Sequence, residues 1–212
     1  MGLMHFGENN TWININSDLI SEYSSIYDTY DIDDEMIEYA LDKNERAHME
    51  YNRRTKTLVV IYNVLNLSRE ENHYDTIPLT FIVRQNQIVT ISNGLNEYII
   101  DQIREELEEN MHWSVFNFLL HSLFTISENY FPVIEKLDKE QQKISKLLRK
   151  KTTKDNLFRL SDLEIEGMYL VSATKQNAVV LEQLKTQQAF KELDDSEREQ
   201  LEDNIIEANQ LV

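Results

Sequence analysis

Over the first hundred residues, β-branched and aromatic side chains come in short runs bounded by turn formers: TWINI (11–15), TKTLVVIYNVL (55–65), TIPLTFIVRQ (76–85) and QIVTISN (87–93). Such runs predict strands. The last two are separated by little more than Gln85, Asn86 and Gln87, which predicts a tight antiparallel hairpin. Pro78 inside a run marks an edge or a strand start, because proline cannot donate to a ladder. Between the first and second runs, NSDLISEYSSIYDTY and DDEMIEYALDKNE carry apolar residues at helical spacing. After Gly94, LNEYIIDQIREELEEN predicts a helix whose acids Glu105, Glu106, Glu108 and Glu109 crowd its C-terminal end and read as a solvated face.

Beyond Asn110 the period changes. Phe116, Leu119, Leu123, Ile126, Tyr130, Val133, Leu137, Gln141, Ile144 and Leu148 recur three and four apart, predicting one long helix over 113–150. At ~1.5 Å per residue it would span roughly 57 Å and project from a compact domain, with Pro132 kinking rather than ending it. RKKTTKDN (149–156) breaks the stripe, its basic residues complementing the helix dipole, and a second stripe runs from Leu157 to Leu184. Two long helices therefore predict an antiparallel hairpin. A third helix starts near residue 195 on an Asp194 or Asp195 cap and carries Leu201, Ile205, Ala208 and Val212 on one face, with no stop signal behind them.

The fold class expected is α/β: an N-terminal α/β sandwich with a mixed or antiparallel sheet over 1–112, a long antiparallel helical hairpin over 113–192, and the start of a truncated stalk helix over 193–212. The hydrophobic fraction of 41% supports a packed core.

Charge narrows the partners. The formal net charge is −17, and residues 1–130 hold 22 acids against 8 Lys and Arg. Such a field repels phosphate backbones and attracts cations, so sequence-independent nucleic-acid binding is disfavoured, while counter-ion or metal binding is compatible with it, as is a merely soluble acidic surface. With no cysteine, disulfides, thiolate nucleophiles and zinc-thiolate sites are excluded. No apolar run approaches the ~20 residues of a membrane span, and MGLMHFGENN lacks a secretory signature, so the chain reads as a soluble, cytoplasmic piece.

Catalytic chemistry has no visible carrier. Four scattered glycines exclude Walker and dinucleotide loops, and no serine sits in a nucleophile elbow. The histidines at 5, 48, 73, 112 and 121 form no zinc motif; His112 and His121 fall in an apolar helical stretch and read as core or interface residues. Carboxylates are the abundant reactive groups, and they suit Mg²⁺ or Ca²⁺, although DIDDEMIEYALD (31–42) lacks the glycine and bidentate acid of an EF-hand loop.

The order of WINI, an acidic helix ending YALDKNERAHMEY, strands ending TFIVRQNQIVTIS, then SVFNFLLHSLFTISENYFPVIEKLDKEQQKISKLL and LEDNIIEANQL resembles the cytoplasmic domain of the CorA family of magnesium transporters. The resemblance covers roughly residues 10–212. It implies a cytoplasmic α/β sandwich, a helical hairpin and a stalk helix that runs on into the membrane, where five identical subunits form a Mg²⁺ pore; the pore helices and their Gly-Met-Asn motif lie outside these residues. It further implies that Mg²⁺ between neighbouring cytoplasmic domains keeps the pore shut, through a stalk aspartate matching Asp203 and an acidic pair whose first member matches Glu38. The second member falls on Tyr39, and a further family acid falls on Phe124.

Because Mg²⁺ keeps several waters and can be held by one or two carboxylates per site, Asp203 with Glu38, assisted by Asp42 or Glu207, is the metal set expected here. The expected function is the Mg²⁺-sensing domain of a CorA-like transporter of Mg²⁺, Co²⁺ or other divalent cations, not an enzyme, lying at the cytoplasmic side of the cell membrane. The alternative is a cytoplasmic scaffold whose helical hairpin docks partner helices. Two apolar stretches of about 20 residues beyond Val212, with Gly-Met-Asn after the first, would decide for the transporter.

Overall fold

The computed structural model describes residues 2–21, 24–70, 73–187 and 193–212. Six strands, β1 (Gly2–Phe6), β2 (Asn10–Asn16), β3 (His48–Asn52), β4 (Thr57–Glu70), β5 (His73–Arg84) and β6 (Gln87–Ser92), form one sheet in the order β1-β2-β6-β5-β4-β3. Neighbours are antiparallel except β2 and β6, which run parallel, so the sheet is mixed. The helices are α1 (Ser25–Thr29), α2 (Asp34–Leu41), α3 (Glu97–Glu109), α4 (Val115–Glu128), α5 (Phe131–Lys150), α6 (Lys154–Thr186) and α7 (Asp195–Gln210).

Alternation along the strands sorts side chains to two faces. Trp12, Tyr62, Leu79, Phe81 and Val83 face one side, where they pack with Ile99 and Ile103 of α3, Phe118 and Leu119 of α4, Leu170 and Leu181 of α6 and Leu201 of α7. Ile13, Ile15, Ile82, Val89 and Ile91 face the other, packing with Tyr27 and Ile32 and with Met36, Ile37 and Ala40 of α2. The first cluster draws on residues before 112, within 113–192 and after 193, so the hairpin and α7 share the core of the sheet.

The 85–87 hairpin forms with two turn residues, Arg84 pairing with Gln87. Two strands escaped the sequence pattern. β1 pairs with β2 yet exposes Leu3, and β3 is polar at the sheet edge. The segment ending YALDKNERAHMEY is accordingly helix only to Leu41, and His48–Asn52 within it is strand. In NSDLISEYSSIYDTY only a 3-10 turn at Ser17–Leu19 and the short α1 form; Glu22 and Tyr23 lie outside the described residues.

Pro78 lies in an interior strand, but at a local edge of it. Asn63, its partner on β4, turns both backbone groups away from β5 toward Asn177, so Pro78 nitrogen faces the β6 side, where pairing begins only at Thr80. The Pro78 carbonyl on that side accepts from Asn96 Nδ2 at 3.2 Å.

The helix expected over 113–150 is two helices. Residues 113 and 114 precede the first, Ser114 capping it through Asn117 N–H, and exposed His112 lies in the turn before rather than in a helix. The break falls at Asn129 and Tyr130, whose backbone stays in the right-handed helical region. Pro132 near the start of α5 has no N–H to give to the preceding turn, which interrupts the bond ladder there. Gly7 closes β1 to β2 at φ +55, and a Cβ there would stand 2.9 Å from the Trp113 carbonyl.

Candidate functional site

The carboxylates singled out above stand on two helices. α2 begins on Asp33, whose side chain accepts from Met36 N–H at 2.9 Å, and Asp34 and Glu35 occupy its first turn, where negative charge complements the dipole. Met36, Ile37 and Ala40 seat it on the sheet, which leaves Glu35 and Glu38 exposed. Arg84 fixes the approach to this helix: its guanidinium donates to the carbonyls of Tyr30 and Asp31 at 2.8 and 2.7 Å, with Asp31 at φ +50, a conformation aspartate tolerates. Asp42 ends the helix, exposed, and accepts from Asn44 N–H at 2.8 Å.

Tyr39 stands beside Glu38 without supplying a carboxylate. Its hydroxyl donates to Glu35 at 3.0 Å and lies 3.3 Å from Glu50 on β3, and its ring meets His48 edge-on. The bond to Glu35, some loss of solvent and the two negative charges push the phenol up to about 12, so it stays neutral and a donor. A neutral phenol held by two carboxylates is a poor substitute for a Mg²⁺ ligand. Phe124 is half-buried on α4 and offers no donor.

α7 starts with a reciprocal capping box between Asp194 and Glu197. Leu201, Ile205, Ala208 and Leu211 are its buried face, whereas Val212 is 50% exposed, so the stripe read from the sequence ends one residue earlier than expected. Asn204 is buried with them and donates to the Leu120 carbonyl of α4 at 2.8 Å. This face turns Asp203 to solvent, with Glu207 one turn further on and half-exposed.

α7 packs on α4 and α6, and α2 packs on the opposite face of the sheet. Asp203 and Glu207 are therefore not brought to Glu38 and Asp42 within one chain. Among the described residues, no group of three or more His, Asp or Glu side chains is placed to hold a metal ion. The donor set fits a hard, hydrated cation chemically, but each helix of a single chain supplies only part of a coordination shell.

Two acids with little access to solvent escaped the sequence reading. Glu106, expected on a solvated face, is half-buried between α3 and α4 and accepts from the Thr125 hydroxyl at 2.7 and 2.9 Å; burial, then Glu128 and Glu109, raise its pKa above the ordinary 4.5, against the lowering effect of that hydrogen bond. Glu197, read only as a helix-start acid, is buried and accepts from the Ser114 hydroxyl at 2.5 Å. His121 meets the expectation for an interface residue, stacking on Trp113 at 4.1 Å with burial lowering its pKa. No helix among the described residues is long and apolar enough to cross a membrane.

The chain is similar in fold to the CorA magnesium transporter from Methanocaldococcus jannaschii, with a TM-score of 0.81 at 18% identity over 100% of this chain and 66% of that one. The soluble domain of the same transporter matches with a TM-score of 0.78 at 20% identity, over 96% of this chain and 80% of that one. The ZntB cytoplasmic domain from Vibrio parahaemolyticus matches with a TM-score of 0.73 at 11% identity, over 96% and 80%. The chain thus spans about two thirds of the length of the complete archaeal transporter. Among curated proteins none matches it. The family model described as CorA-like Mg²⁺ transporter protein matches residues 7–212, nearly the whole chain. The chain belongs to the CorA-like Mg²⁺ transporter family.

Proposed function

We propose that this chain is the cytoplasmic, Mg²⁺-responsive part of a CorA-like divalent-cation transport protein, and that it has no catalytic role. The observation that supports this reading is the placement of Glu38 and Asp203 on outward faces of helices on opposite sides of the sheet. Carboxylates so placed cannot share an ion within one chain, but they can between neighbouring copies in a ring of identical subunits, a pentamer in the full-length protein.

The mechanism is linkage. A cation held between Asp203 of one subunit and Glu38 of the next, with Asp42 and Glu207 adding charge or water-mediated contacts, offsets the repulsion between strongly acidic domains and favours their closed arrangement. Loss of the ion releases that preference, and α7, packed on α4 and α6, carries the rearrangement toward the membrane part. Tyr39 in place of an acid predicts weaker binding than a site with the full acidic pair.

The test is a Mg²⁺ titration of the chain, following its thermal midpoint and its mass by sedimentation. A ligand at a hundred times its Kd stabilises by about 2.7 kcal/mol, or several degrees. A Mg²⁺-dependent rise that is reduced by Asp203→Ala and by Glu38→Ala supports the reading. Absence of any Mg²⁺-dependent change in midpoint or mass would overturn it.

A second reading rests on an open groove of ≈ 940 Å³ between α5, α6 and the end of α7, lined by Leu137, Leu163, Met168, Val171 and Val212. An apolar trough of this kind suits a partner helix, as the scaffold alternative requires.

A further inference from the structure

The most basic part of this acidic protein is the apex of the α5–α6 hairpin. Between Lys146 and Lys154 the chain carries five cations, Lys146, Arg149, Lys150, Lys151 and Lys154, and no acid, although the whole chain has a net charge of −17. All five are exposed, and none is in an ion pair among the described residues. Complementing the α5 dipole accounts for Arg149 and Lys150 in its last turn. It does not account for Lys154 and Arg159, which lie in the first turns of α6, where positive charge opposes the dipole.

Apolar side chains are interleaved with these cations. Phe158 is 69% exposed, Leu157 49% and Leu147 39%. An aromatic and two leucines set among lysines and arginines at one apex form the pattern of an interfacial anchor: cations on lipid phosphates, apolar groups between the headgroups.

The apex also stands clear of the acidic body. Along α6, the first side chain bound to the sheet is Glu166, which accepts from Tyr74 N–H at 2.9 Å. Residues 154–165 extend roughly 18 Å beyond that contact, about two Debye lengths at physiological salt, so the field of the body is largely screened at the tip; within this segment Asp155 adjoins the cations, and Asp162 and Glu164 lie further back along α6. A long polyanion lying along the molecule would meet the acidic surface, whereas a planar anionic surface touched by the apex alone would not.

We propose that the α5–α6 apex docks on an anionic phospholipid surface, with Lys146, Arg149, Lys150, Lys151 and Lys154 on headgroup phosphates and Phe158 and Leu157 in the interfacial layer. α7 runs antiparallel to α6, since Lys185 meets Glu202 while Thr174 meets the Leu211 carbonyl, so the C-terminal end of α7 points the same way as the apex. On the transporter reading this turns both toward the bilayer; that orientation rests on the reading, while the charge and exposure of the apex do not.

The test is co-sedimentation of the whole chain with vesicles of phosphatidylcholine alone or with 30 mol% phosphatidylserine (about a third anionic lipid), without Mg²⁺ so that the outcome is separate from the metal titration. Binding to the anionic vesicles that is lost in high salt is expected. Each cation removed lowers partitioning about fivefold, so Lys150→Glu/Lys151→Glu/Lys154→Glu lowers it more than ~100-fold, and Phe158→Ser lowers it several-fold while keeping the salt dependence. Arg53→Glu/Arg54→Glu/Lys56→Glu, at exposed positions of the β3–β4 turn, makes the same change in net charge as the triple apex variant and serves as its control, retaining more binding than that variant; circular dichroism verifies that every variant is folded. No binding to anionic vesicles, equal binding to neutral ones, an apex variant that binds like the control, or tighter binding to a single-stranded oligonucleotide than to the vesicles would overturn the proposal.

Discussion

The side-chain amide of Asn177 on α6 satisfies both backbone groups of Asn63 on β4: its Oδ1 accepts from the Asn63 N–H at 2.8 Å and its Nδ2 donates to the Asn63 carbonyl at 2.9 Å. β3 pairs with β4 only as far as Ile61, so at Asn63 the sheet would otherwise present an unpaired edge. An amide side chain offers a donor and an acceptor as a peptide group does, and Asn177 continues the sheet by one bridge from a helix. Gln176 adds to the same seam, accepting from Asn63 Nδ2 and from Ala47 N–H.

Removing that bridge strands a buried N–H. Asn177→Leu, which keeps the volume, and Asn177→Ala are each expected to cost about 2–3 kcal/mol and to lower the thermal midpoint by roughly 4–10 °C. Thermal unfolding followed by circular dichroism checks this; a loss below about 1 kcal/mol in both would mean the bridge is dispensable.

The Asn63 carbonyl also accepts from the Tyr130 hydroxyl at 2.9 Å. Tyr130→Phe alone leaves that carbonyl with Asn177 and is expected to cost about 1 kcal/mol. In Asn177→Leu/Tyr130→Phe the carbonyl has neither partner, so the double variant is expected to lose about 0.5–1 kcal/mol more than the two singles together. A double-mutant cycle by urea unfolding measures the excess, and strict additivity would contradict a shared acceptor.

Glu106 gives a pH dependence of defined sign. Its folded pKa is raised from 4.5, chiefly by burial, so between 4.5 and the folded value the native state holds more protons than the unfolded chain. Stability from this group is complete below 4.5 and is lost as pH rises through the folded value. Glu106→Gln keeps the acceptor for Thr125 and removes the charge. It is expected to raise the midpoint by about 1–2 °C at pH 7, with the gain vanishing below pH ~4. A gain that grows on acidification would reverse the assignment.

Glu197 joins two helix starts, accepting from the Ser114 hydroxyl through Oε1 and from the Asp194 N–H through Oε2. Glu197→Ala is expected to cost about 2 kcal/mol, and Glu197→Gln less, because it still reaches one of the two donors. Equal and negligible losses by chemical denaturation would show the link to be incidental.

Period and turn chemistry carried much of the architecture in the sequence. The runs at 55–65, 76–85 and 87–93, the tight hairpin, the break at RKKTTKDN and the Asp194 cap are local features, and each appears where local chemistry puts it. β1 and β3 were illegible because edge strands need neither continuous apolar runs nor strict alternation. The division of 113–150 into two helices was invisible because both halves keep one apolar period and the backbone at Asn129 and Tyr130 stays helical.

Sequence by itself determined the acidity, the absence of cysteine chemistry, the family resemblance and the identity of Glu38, Asp42, Asp203 and Glu207 as candidate ligands. Only the tertiary structure decided where those carboxylates stand, because the sheet lies between α2 and α7 and separates groups that a linear reading could place together. It likewise decided that Glu106 and Glu197 are half-buried and buried rather than solvated, and that Asn177 completes a sheet it does not belong to. Burial and long-range hydrogen bonding depend on which elements pack face to face, and no local pattern of side chains encodes that.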